Sequence, residues 1–346
     1  MASILDRPSS FVLQSPPRET LVDSLELASM PPARGPLNLI LMAKRRRAHS
    51  QDFPAIAQKI RELAPDIKPI ILTDRYYDYL WPAPWLRPAL TVAPAQLQRY
   101  HPLRGYLCQN RLFKKSTEYA LMEQFGVPVP RWALVTENQS PDLTGFGPYV
   151  VVKPDLGCRG AEVKIKRQGR VRWKPPANKM AVRRGNLDLI AQEFIYTGSW
   201  PVSYRVTTLF GRVLFSWKVE AARTRRPLSS PVGFNVGDAN GGGMAITSSG
   251  PGCRFELCYD EDVLKLGQRA HAAFPNHPLL GFDIIRESPS AKLYVIEANS
   301  GGDVWHFSSA TGLSIQRDNN LDFAAQFDGL RRAALTLIAE TRRRAQ

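Results

Sequence analysis

Residues 293–302 read LYVIEANSGG, and this stretch decides how the rest of the chain is interpreted. Leu293 to Ile296 favour a buried strand, because aliphatic and aromatic residues in a row suit a sheet that is covered by other elements. Glu297 and Asn299 then place a carboxylate and an amide on one side, since alternate residues of a strand share a face. A strand that ends in such polar groups predicts a functional site at its end.

A second strand, GFDIIRE (281–287), lies just upstream and is separated from the first by SPSAK. If the two strands pair antiparallel, Asp283 converges with Glu297 and Asn299 at one end of the hairpin. Two carboxylates in apolar surroundings cost several kcal/mol unless something neutralises them. Together with an amide oxygen they match the hard donors that hold Mg²⁺ beside nucleotide phosphates. A pair of exposed acids at a strand end is the alternative, which the hairpin alone does not exclude.

The stretch VVVKPDLGCRGAEV (150–163) carries a lysine out of another buried strand and into a loop with two glycines. Glycines at 157 and 160 let backbone N–H groups approach phosphate oxygens, and Lys153 adds a positive charge. The loop is not a P-loop, because it lacks the G-K-[ST] ending and no helix pattern follows. A plain hairpin turn is the alternative interpretation.

The remaining segments predict a small parallel α/β unit followed by β-rich α+β structure. In the first part, 37–43 and 69–74 favour strands, 53–64 favours a helix, and 76–105 is predicted to be irregular. A helix is predicted over 114–126. Later strands are expected at 149–154, 161–167 and 189–195, and a hairpin turning at 210–212. Helices are predicted over 260–274, with Asp260 as N-cap, and over 321–345.

The order of these motifs resembles the ATP-grasp superfamily, and it is most similar to the glutathione-synthetase-like and α-glutamate-ligase-like carboxylate–amine ligases. The resemblance spans roughly residues 110–303. It is carried by a helix lysine, GVPVP (126–130), the Lys153 strand with its glycine loop, AQEFI (191–195), YRV (204–206), GFDII and VIEAN. Each motif is short, and their joint order is the specific feature. The resemblance implies two α+β lobes that grip ATP, preceded by the small parallel α/β domain.

The implied domains are an N-terminal extension (1–36), an α/β domain (37–112), a small ATP-grasp lobe (113–195), a large lobe with the metal site (196–320) and a C-terminal helix (321–346). The resemblance also implies roles for single residues. It assigns the phosphates and adenine to Lys115 (with Lys114 as the near alternative), Lys153, Gly157, Gly160, Glu193 and Ile195. It assigns Mg²⁺, or alternatively Mn²⁺, to Asp283, Glu297 and Asn299.

The catalytic arginines implied by the resemblance are Arg205 and either Arg223 or Arg225. Ser203 departs from the family pattern, which has an aspartate two residues before the arginine matched by Arg205. This departure puts in doubt an acid that would orient the substrate there. His306 is a further candidate for contacting the acceptor, although packing beside its aromatic neighbours is the favoured interpretation.

The activity implied is an ATP- and Mg²⁺-dependent ligase that activates a carboxylate as an acyl phosphate and joins it to an amine, with amino acids or peptides as substrates. A kinase that stops after phosphoryl transfer is the first alternative. A non-catalytic protein that binds anions or nucleic acid is the second and the less favoured. No Ser–His–Asp or Cys–His pattern is found in the sequence. A homo-oligomer is left open.

The composition fits these expectations. A net charge of +15 favours anionic partners. Nine basic residues and no acid lie within 164–184, which predicts either a solvated hairpin or a lid that faces an anion. Four cysteines without metal-type spacing indicate reduced thiols and a cytoplasmic protein. No segment has the apolar length of a membrane span, and residues 1–36 do not follow the pattern of a signal peptide.

Overall fold

The computed structural model describes residues 35–43, 49–73, 87–97, 100, 102, 104–157, 162–177, 179–240, 244, 252–300 and 304–345. The architecture is mixed α/β with three sheets, as the sequence predicted: one parallel sheet at the N-terminus and two antiparallel sheets after it. The predicted N-terminal extension lies outside the described residues except for its last two positions. No helix within the described ranges has the length and apolar character needed to cross a membrane.

The N-terminal unit is a four-stranded parallel sheet in the order β2-β1-β3-β4. Its elements are β1 (Leu37–Ala43), α1 (His49–Leu63), β2 (Ile67–Thr73), β3 (Ala89–Ala93) and β4 (Tyr106–Gln109). All seven residues of β1 are buried, as expected for a central strand of a parallel sheet. The predicted strand–helix–strand start is confirmed. The expectation of an irregular 76–105 segment is wrong at β3, whose five residues are all buried.

The middle sheet follows helix α2 (Lys115–Gln124) and has the order β5-β8-β6-β7, with antiparallel pairing throughout. Its strands are β5 (Trp132–Val135), β6 (Tyr149–Pro154), β7 (Lys164–Arg167) and β8 (Leu189–Glu193), with a short helix α3 (Lys179–Arg183) before β8. Val150 and Val152 face a core of their own on one side of this sheet. Tyr149, Val151 and Lys153 therefore face the opposite side, toward the large sheet.

The large sheet has five antiparallel strands in the order β11-β10-β9-β12-β13. Its elements are β9 (Val202–Leu209), β10 (Arg212–Glu220), α4 (Val236–Ala239), β11 (Arg254–Leu257), α5 (Glu261–His271), β12 (Leu279–Arg286) and β13 (Leu293–Asn299). The side chain of Asp260 accepts from two backbone N–H groups in the first turn of α5, so the predicted N-cap is confirmed. The predicted turn at 210–212 is also confirmed, with Phe210 and Gly211 both at positive φ.

The C-terminal region differs from the single helix predicted over 321–345. The structure has α6 (Ala310–Asn319), α7 (Phe323–Gln326) and α8 (Gly329–Arg344). Asp328 adopts a left-handed conformation with φ of 48°, which interrupts the helical path between α7 and α8. Helix α8 returns to the N-terminal unit: Ala333, Leu337 and Ile338 share a core with strands β1 and β3.

Three cysteines of the described residues, Cys108, Cys253 and Cys258, are free thiols, in accordance with the absence of a disulfide pattern. Cys158 lies outside the described residues. Within the basic segment 164–184 the structure has β7, a 3₁₀ turn (Gln168–Arg170) and α3, and residues 171–177 have no regular secondary structure. Strand β7 forms one edge of the middle sheet.

Candidate active site

The strand pair β12/β13 brings the three predicted metal-ligating residues together. Asp283 lies directly opposite Glu297, and Asn299 lies opposite Gly281. Asn299 Nδ2 donates to Asp283 Oδ2 (3.1 Å) and to Gly281 O (3.2 Å). Within the described residues, no hydrogen bond engages the Oδ1 atom of Asn299. Two carboxylates and one amide oxygen therefore share the end of this hairpin.

The pairing shifts by one residue after Asp283, so that β13 carries one extra residue, Ile296, in a β-bulge. The carbonyl oxygen of Ile296 leaves the ladder and accepts from Tyr119 Oη (2.7 Å) and Lys153 Nζ (3.2 Å). The bulge thus presents a backbone acceptor to the side of the middle sheet that faces the site.

Arg205 on β9 neutralises Asp283. The two residues are direct neighbours across β9 and β12, and the guanidinium meets the carboxylate in a two-point contact, with Nε–Oδ1 at 2.6 Å and Nη2–Oδ2 at 3.0 Å. Burial raises the pKa of Asp283, and the charge of Arg205 opposes that rise. Buried carboxylates are retained when they are paired in this way.

Lys115, the first residue of α2, neutralises Glu297. Its Nζ lies 2.9 Å from Glu297 Oε1 and donates to Gly157 O at 3.0 Å. Burial lowers the pKa of Lys115, but the nearby carboxylates of Glu297 and Glu118 outweigh burial, and the pKa is raised overall. The structure thus brings Lys115 into the cluster and leaves its neighbour Lys114 exposed.

Lys153 is buried at the end of β6 and uses all three of its N–H donors within the protein. They go to Gln192 Oε1 (2.8 Å), Tyr119 Oη (2.9 Å) and Ile296 O (3.2 Å). Burial lowers the pKa of Lys153 to about 8. A lysine with this pKa and three neutral partners remains largely protonated at pH 7, so the interior carries its charge next to Glu297 and Lys115.

Sequence reasoning missed three residues of this cluster: Gln192, Tyr119 and Glu118. Glu118 is buried one turn after Lys115, and burial raises its pKa to about 8. Its Oε2 lies 3.4 Å from the backbone N–H of Ala298. The available sequence signal for Glu118 was its position four residues before Met122, which puts an acid on the apolar side of the predicted helix. No sequence signal separated Gln192 from Glu193.

The predicted hinge residues lie at the end of β8. Gln192 shares a face with Val151, while Glu193 pairs with Val150 on the opposite face. The side chain beside Lys153 is therefore that of Gln192, and the Glu193 carboxylate lies 3.4 Å from the backbone N–H of Arg131. Ile195 is buried just beyond the strand. Any role of Glu193 toward an adenine edge would have to come from its backbone.

The other predicted residues are less closely joined to the cluster. Arg223 pairs with Glu220 at 2.7 Å and lies over the ring of Trp200 at 5.0 Å, and its side chain is mostly exposed. Arg225 follows in the same turn after β10, and in the described structure its side chain makes no hydrogen bond or ion pair. Gly160 lies outside the described residues. No cluster of three or more His, Cys, Asp or Glu side chains that suits a metal occurs in the described ranges.

His306 lies in an aromatic environment, as the favoured interpretation held. Its ring meets Trp217 edge-on at 5.0 Å, and Nδ1 lies 3.0 Å from Ser309 Oγ. Burial lowers the pKa of His306 to about 3, so the ring is neutral near pH 7. These contacts account for the residue as part of the core.

The cluster has a consistent electrostatic pattern: each acid predicted to bind a metal is held by a cation predicted to bind an anion. Glu297 is held by Lys115, and Asp283 is held by Arg205. An incoming metal and an incoming phosphate would each take one partner of these pairs, and the total charge would stay balanced. This geometry can therefore bind a metal–phosphate complex without leaving a buried charge unpaired.

No protein-family model matches this sequence, and a search of the curated proteins finds no match. Solved structures to which the fold is similar include D-alanine–D-alanine ligase from Bacillus anthracis, at 13% identity and a TM-score of 0.45 over 88% of this chain and 99% of that chain. D-cycloserine synthetase DcsG aligns over the same shares at 15% identity and a TM-score of 0.49.

A RimK domain ATP-grasp protein from Sphaerobacter thermophilus aligns at 15% identity and a TM-score of 0.42, over 88% of this chain and 98% of that chain. All three superpositions are partial, with TM-scores below 0.5. The chemistry of this chain therefore has to be argued from its own residues.

Proposed function

We propose that this protein is an ATP- and Mg²⁺-dependent ligase that joins a carboxylate to an amine, with amino acids or peptides as substrates. The observation that carries the proposal is the paired arrangement of Lys115 with Glu297 and of Arg205 with Asp283, next to the buried Lys153. This arrangement supplies acids for a metal and cations for phosphates at one place.

The donor set fits a magnesium ion. Asp283 and Glu297 face each other across two neighbouring strands, and Asn299 contributes an amide oxygen beside them. Oxygen donors of this kind, few in number, suit Mg²⁺, which keeps water and phosphate in its remaining positions. When bound, the ion would neutralise charge on the terminal phosphates of ATP.

The residues of the chain would then act as follows. Lys115 releases Glu297 and binds a phosphate oxygen, while Lys153 supports the nucleotide from the middle sheet. Arg205, released from Asp283 in the same way, faces the reacting groups. A substrate carboxylate attacks the γ-phosphorus of ATP and ADP leaves; the amine nitrogen then attacks the acyl carbon, and phosphate and a proton are released. Positioned cations stabilise the negative charge that builds up in both steps.

The test is a phosphate-release screen with ATP, Mg²⁺ and pooled amino acids or short peptides, followed by mass spectrometry of active pools. A ligase gives a product whose mass is the sum of the two substrates less one water. A kinase gives a phosphorylated substrate instead, and this result would replace the proposal by the first alternative.

A control screen uses the Asp283→Asn protein, because background phosphatase activity in the preparation would persist in it. Phosphate release that is equal in both proteins would contradict the proposed site. Tight binding of nucleic acid that falls steeply with salt, without any ATP turnover, would favour a non-catalytic protein.

A further inference from the structure

A cleft lies on the middle sheet, at the opposite end of β6 from Lys153. Its volume is about 1030 Å³, and it lies between the β6–β7 pair and the loop that contains Phe234 and Asn235. Tyr149 and Lys153 are four residues apart on β6, which corresponds to roughly 13 Å along a strand. The cleft is therefore separate from the cluster around Lys153.

Two arginines, Arg167 and Arg170, line this cleft; Lys166 also borders it, but it pairs with Val150 and its side chain therefore belongs to the opposite face of the sheet. In the described part of the chain none of them makes an ion pair, and no acid lines the cleft. Like charges gathered without a counter-ion raise the local positive potential, which attracts anions.

The floor of the cleft is aromatic and fixed. The rings of Tyr149 and Phe234 stack with centroids 3.9 Å apart, and Tyr149 Oη donates to Phe234 O at 2.8 Å. Arg167 lies over the Tyr149 ring at 6.0 Å. The loop is also tied to the edge strand, because the side-chain amide of Asn240 pairs with both the N–H and the C=O of Ile165 (2.8 and 2.7 Å). A ligand would thus meet a preformed wall.

The shape and chemistry of the cleft favour a peptide over a nucleic acid or a small anion. Single-stranded nucleic acids are bound by exposed aromatic faces on which bases stack. Here Tyr149 and Phe234 are 3% and 6% exposed and their faces cover each other. The volume is at the upper end of the range for small-molecule sites, so one small anion would leave most of it open.

We propose that this cleft binds an acidic peptide segment through Arg167 and Arg170. The proposal goes beyond the ligase function and does not depend on it, and binding is measured without ATP or Mg²⁺ except in one final competition arm. The probe is fluorescein-labelled hexaglutamate, with labelled hexaglutamine as the uncharged control, and binding is measured by fluorescence anisotropy at low and at physiological salt.

The variant is Arg167→Ala/Arg170→Ala. Its matched control, Arg61→Ala/Lys68→Ala, removes the same charge from exposed positions of the N-terminal unit. We expect hexaglutamate to bind the wild type and to bind the cleft variant about 10-fold or more weakly, since two charge-assisted contacts are lost. The control variant should stay within about twofold of the wild type, because its charges lie outside the cleft. Both variants alter exposed side chains, so matching thermal unfolding curves will show that folding is intact.

Four results of these measurements would overturn the proposal, and a competition arm supplies a fifth. The first is that hexaglutamine binds as tightly as hexaglutamate, and the second is that both double variants lose the same hexaglutamate affinity. The third is that free citrate displaces hexaglutamate at a concentration equal to that of the peptide. The fourth is that a single-stranded oligonucleotide of similar charge binds more tightly than hexaglutamate. Displacement of hexaglutamate by ATP–Mg²⁺, measured in a final arm, would place the cleft within the nucleotide site and would also overturn it.

Discussion

The cluster around Asp283 and Glu297 and the cleft beside Tyr149 differ in how their charged side chains are paired. In the cluster, Asp283 and Glu297 are each held by a cation at 2.9 Å or less. In the cleft, Arg167 and Arg170 face open space without an acid. Both regions contain cations, so composition alone does not separate them.

The difference follows from burial. A charge that loses its hydration needs a partner inside the protein, and so Asp283 and Glu297 are each paired with a cation. A charge at the surface stays hydrated, so it is stable without an internal partner and is free to bind an anion from solution. Paired charges indicate a site in which ligands exchange with internal partners. Unpaired charges indicate a site that gathers an anion.

The largest expected effect is on turnover. Replacing Asp283 by Asn or Glu297 by Gln removes a charge needed for the metal, and we expect ATP-dependent phosphate release to fall by ~100-fold or more. Circular dichroism should show that the fold survives. A matched control is Glu256→Gln, which removes an exposed carboxylate from β11 of the same sheet. Turnover near that of the wild type in the Asp283 or Glu297 variant would rule out the metal assignment.

The next effect tests the comparison directly through stability. Arg205→Ala leaves the carboxylate of Asp283 without its partner, and the two side chains are only 18% and 23% exposed. We expect the free energy of unfolding to fall by about 3 kcal/mol. Arg170→Ala removes an unpaired cation and should change it by less than about 0.5 kcal/mol. Urea denaturation measures both losses. Equal losses in the free energy of unfolding would mean that pairing with an acid does not distinguish Arg205 from Arg170.

A third prediction concerns Lys153. Its alanine variant loses a positive charge close to the expected phosphates, so ATP affinity should fall by roughly 10- to 100-fold, while adenosine affinity should change much less. Isothermal titration calorimetry with both ligands distinguishes these outcomes. An equal loss for the two ligands would assign Lys153 to support of the base or of the structure, through Gln192 and Tyr119.

The smallest effect appears on changing pH. His271 is buried without an acidic partner, with Thr208 at Nδ1 (2.7 Å) and the carbonyl of His277 at Nε2 (2.9 Å). Burial lowers the pKa of His271 from 6.5 to about 3; the hydrogen bond to the His277 carbonyl opposes this shift, and the charges of His277 and Arg344 add to it. Between these values the unfolded chain binds the proton and the folded chain does not. Stability is therefore complete above pH 6.5 and is lost as the pH falls toward 3.

At pH 5 this single histidine is expected to cost about 2 kcal/mol of stability, because each unit between the folded and unfolded values is worth about 1.36 kcal/mol. The measurement is urea denaturation of wild type and His271→Gln at pH 7.5 and 5. The variant should lose less stability than the wild type by that amount. The contribution of His306 to the pH dependence is the same in both proteins and cancels in the difference between them. Identical losses would show that His271 can take up a proton in the folded protein.

Local patterns predicted the parts of the molecule that depend on neighbours in sequence. The β12/β13 hairpin follows from alternation around Asp283 and Glu297, and the start of α5 follows from Asp260 as a cap. The bulge at Ile296 could not be predicted, because it depends on how two strands align. Likewise, that Gln192 and not Glu193 meets Lys153 is fixed by the register of β8 on β6, which is a tertiary property.

The interrupted C-terminus shows the same limit. The apolar residues of 321–345 have helical spacing, but Phe327 and the left-handed Asp328 leave the helical conformation and divide the segment into α7 and α8. Strand β3 was missed for a different reason. It has only five residues and follows a segment rich in Pro, Trp and Tyr, so no periodic pattern is visible in the sequence.

The return of α8 to the N-terminal sheet has a consequence for how the protein is made. The side chains of α8 complete the core around β1, and Arg342 forms a two-point contact with Asp66 at the start of β2, at 2.8 and 3.0 Å. On the ribosome the first sheet emerges long before this helix. We therefore expect the N-terminal unit to expose part of its apolar surface throughout synthesis of both later sheets, and to become resistant to protease only once α8 has emerged. Ribosome-bound chains stopped before and after Gly329–Arg344 allow this order to be measured; early protease resistance without α8 would contradict it.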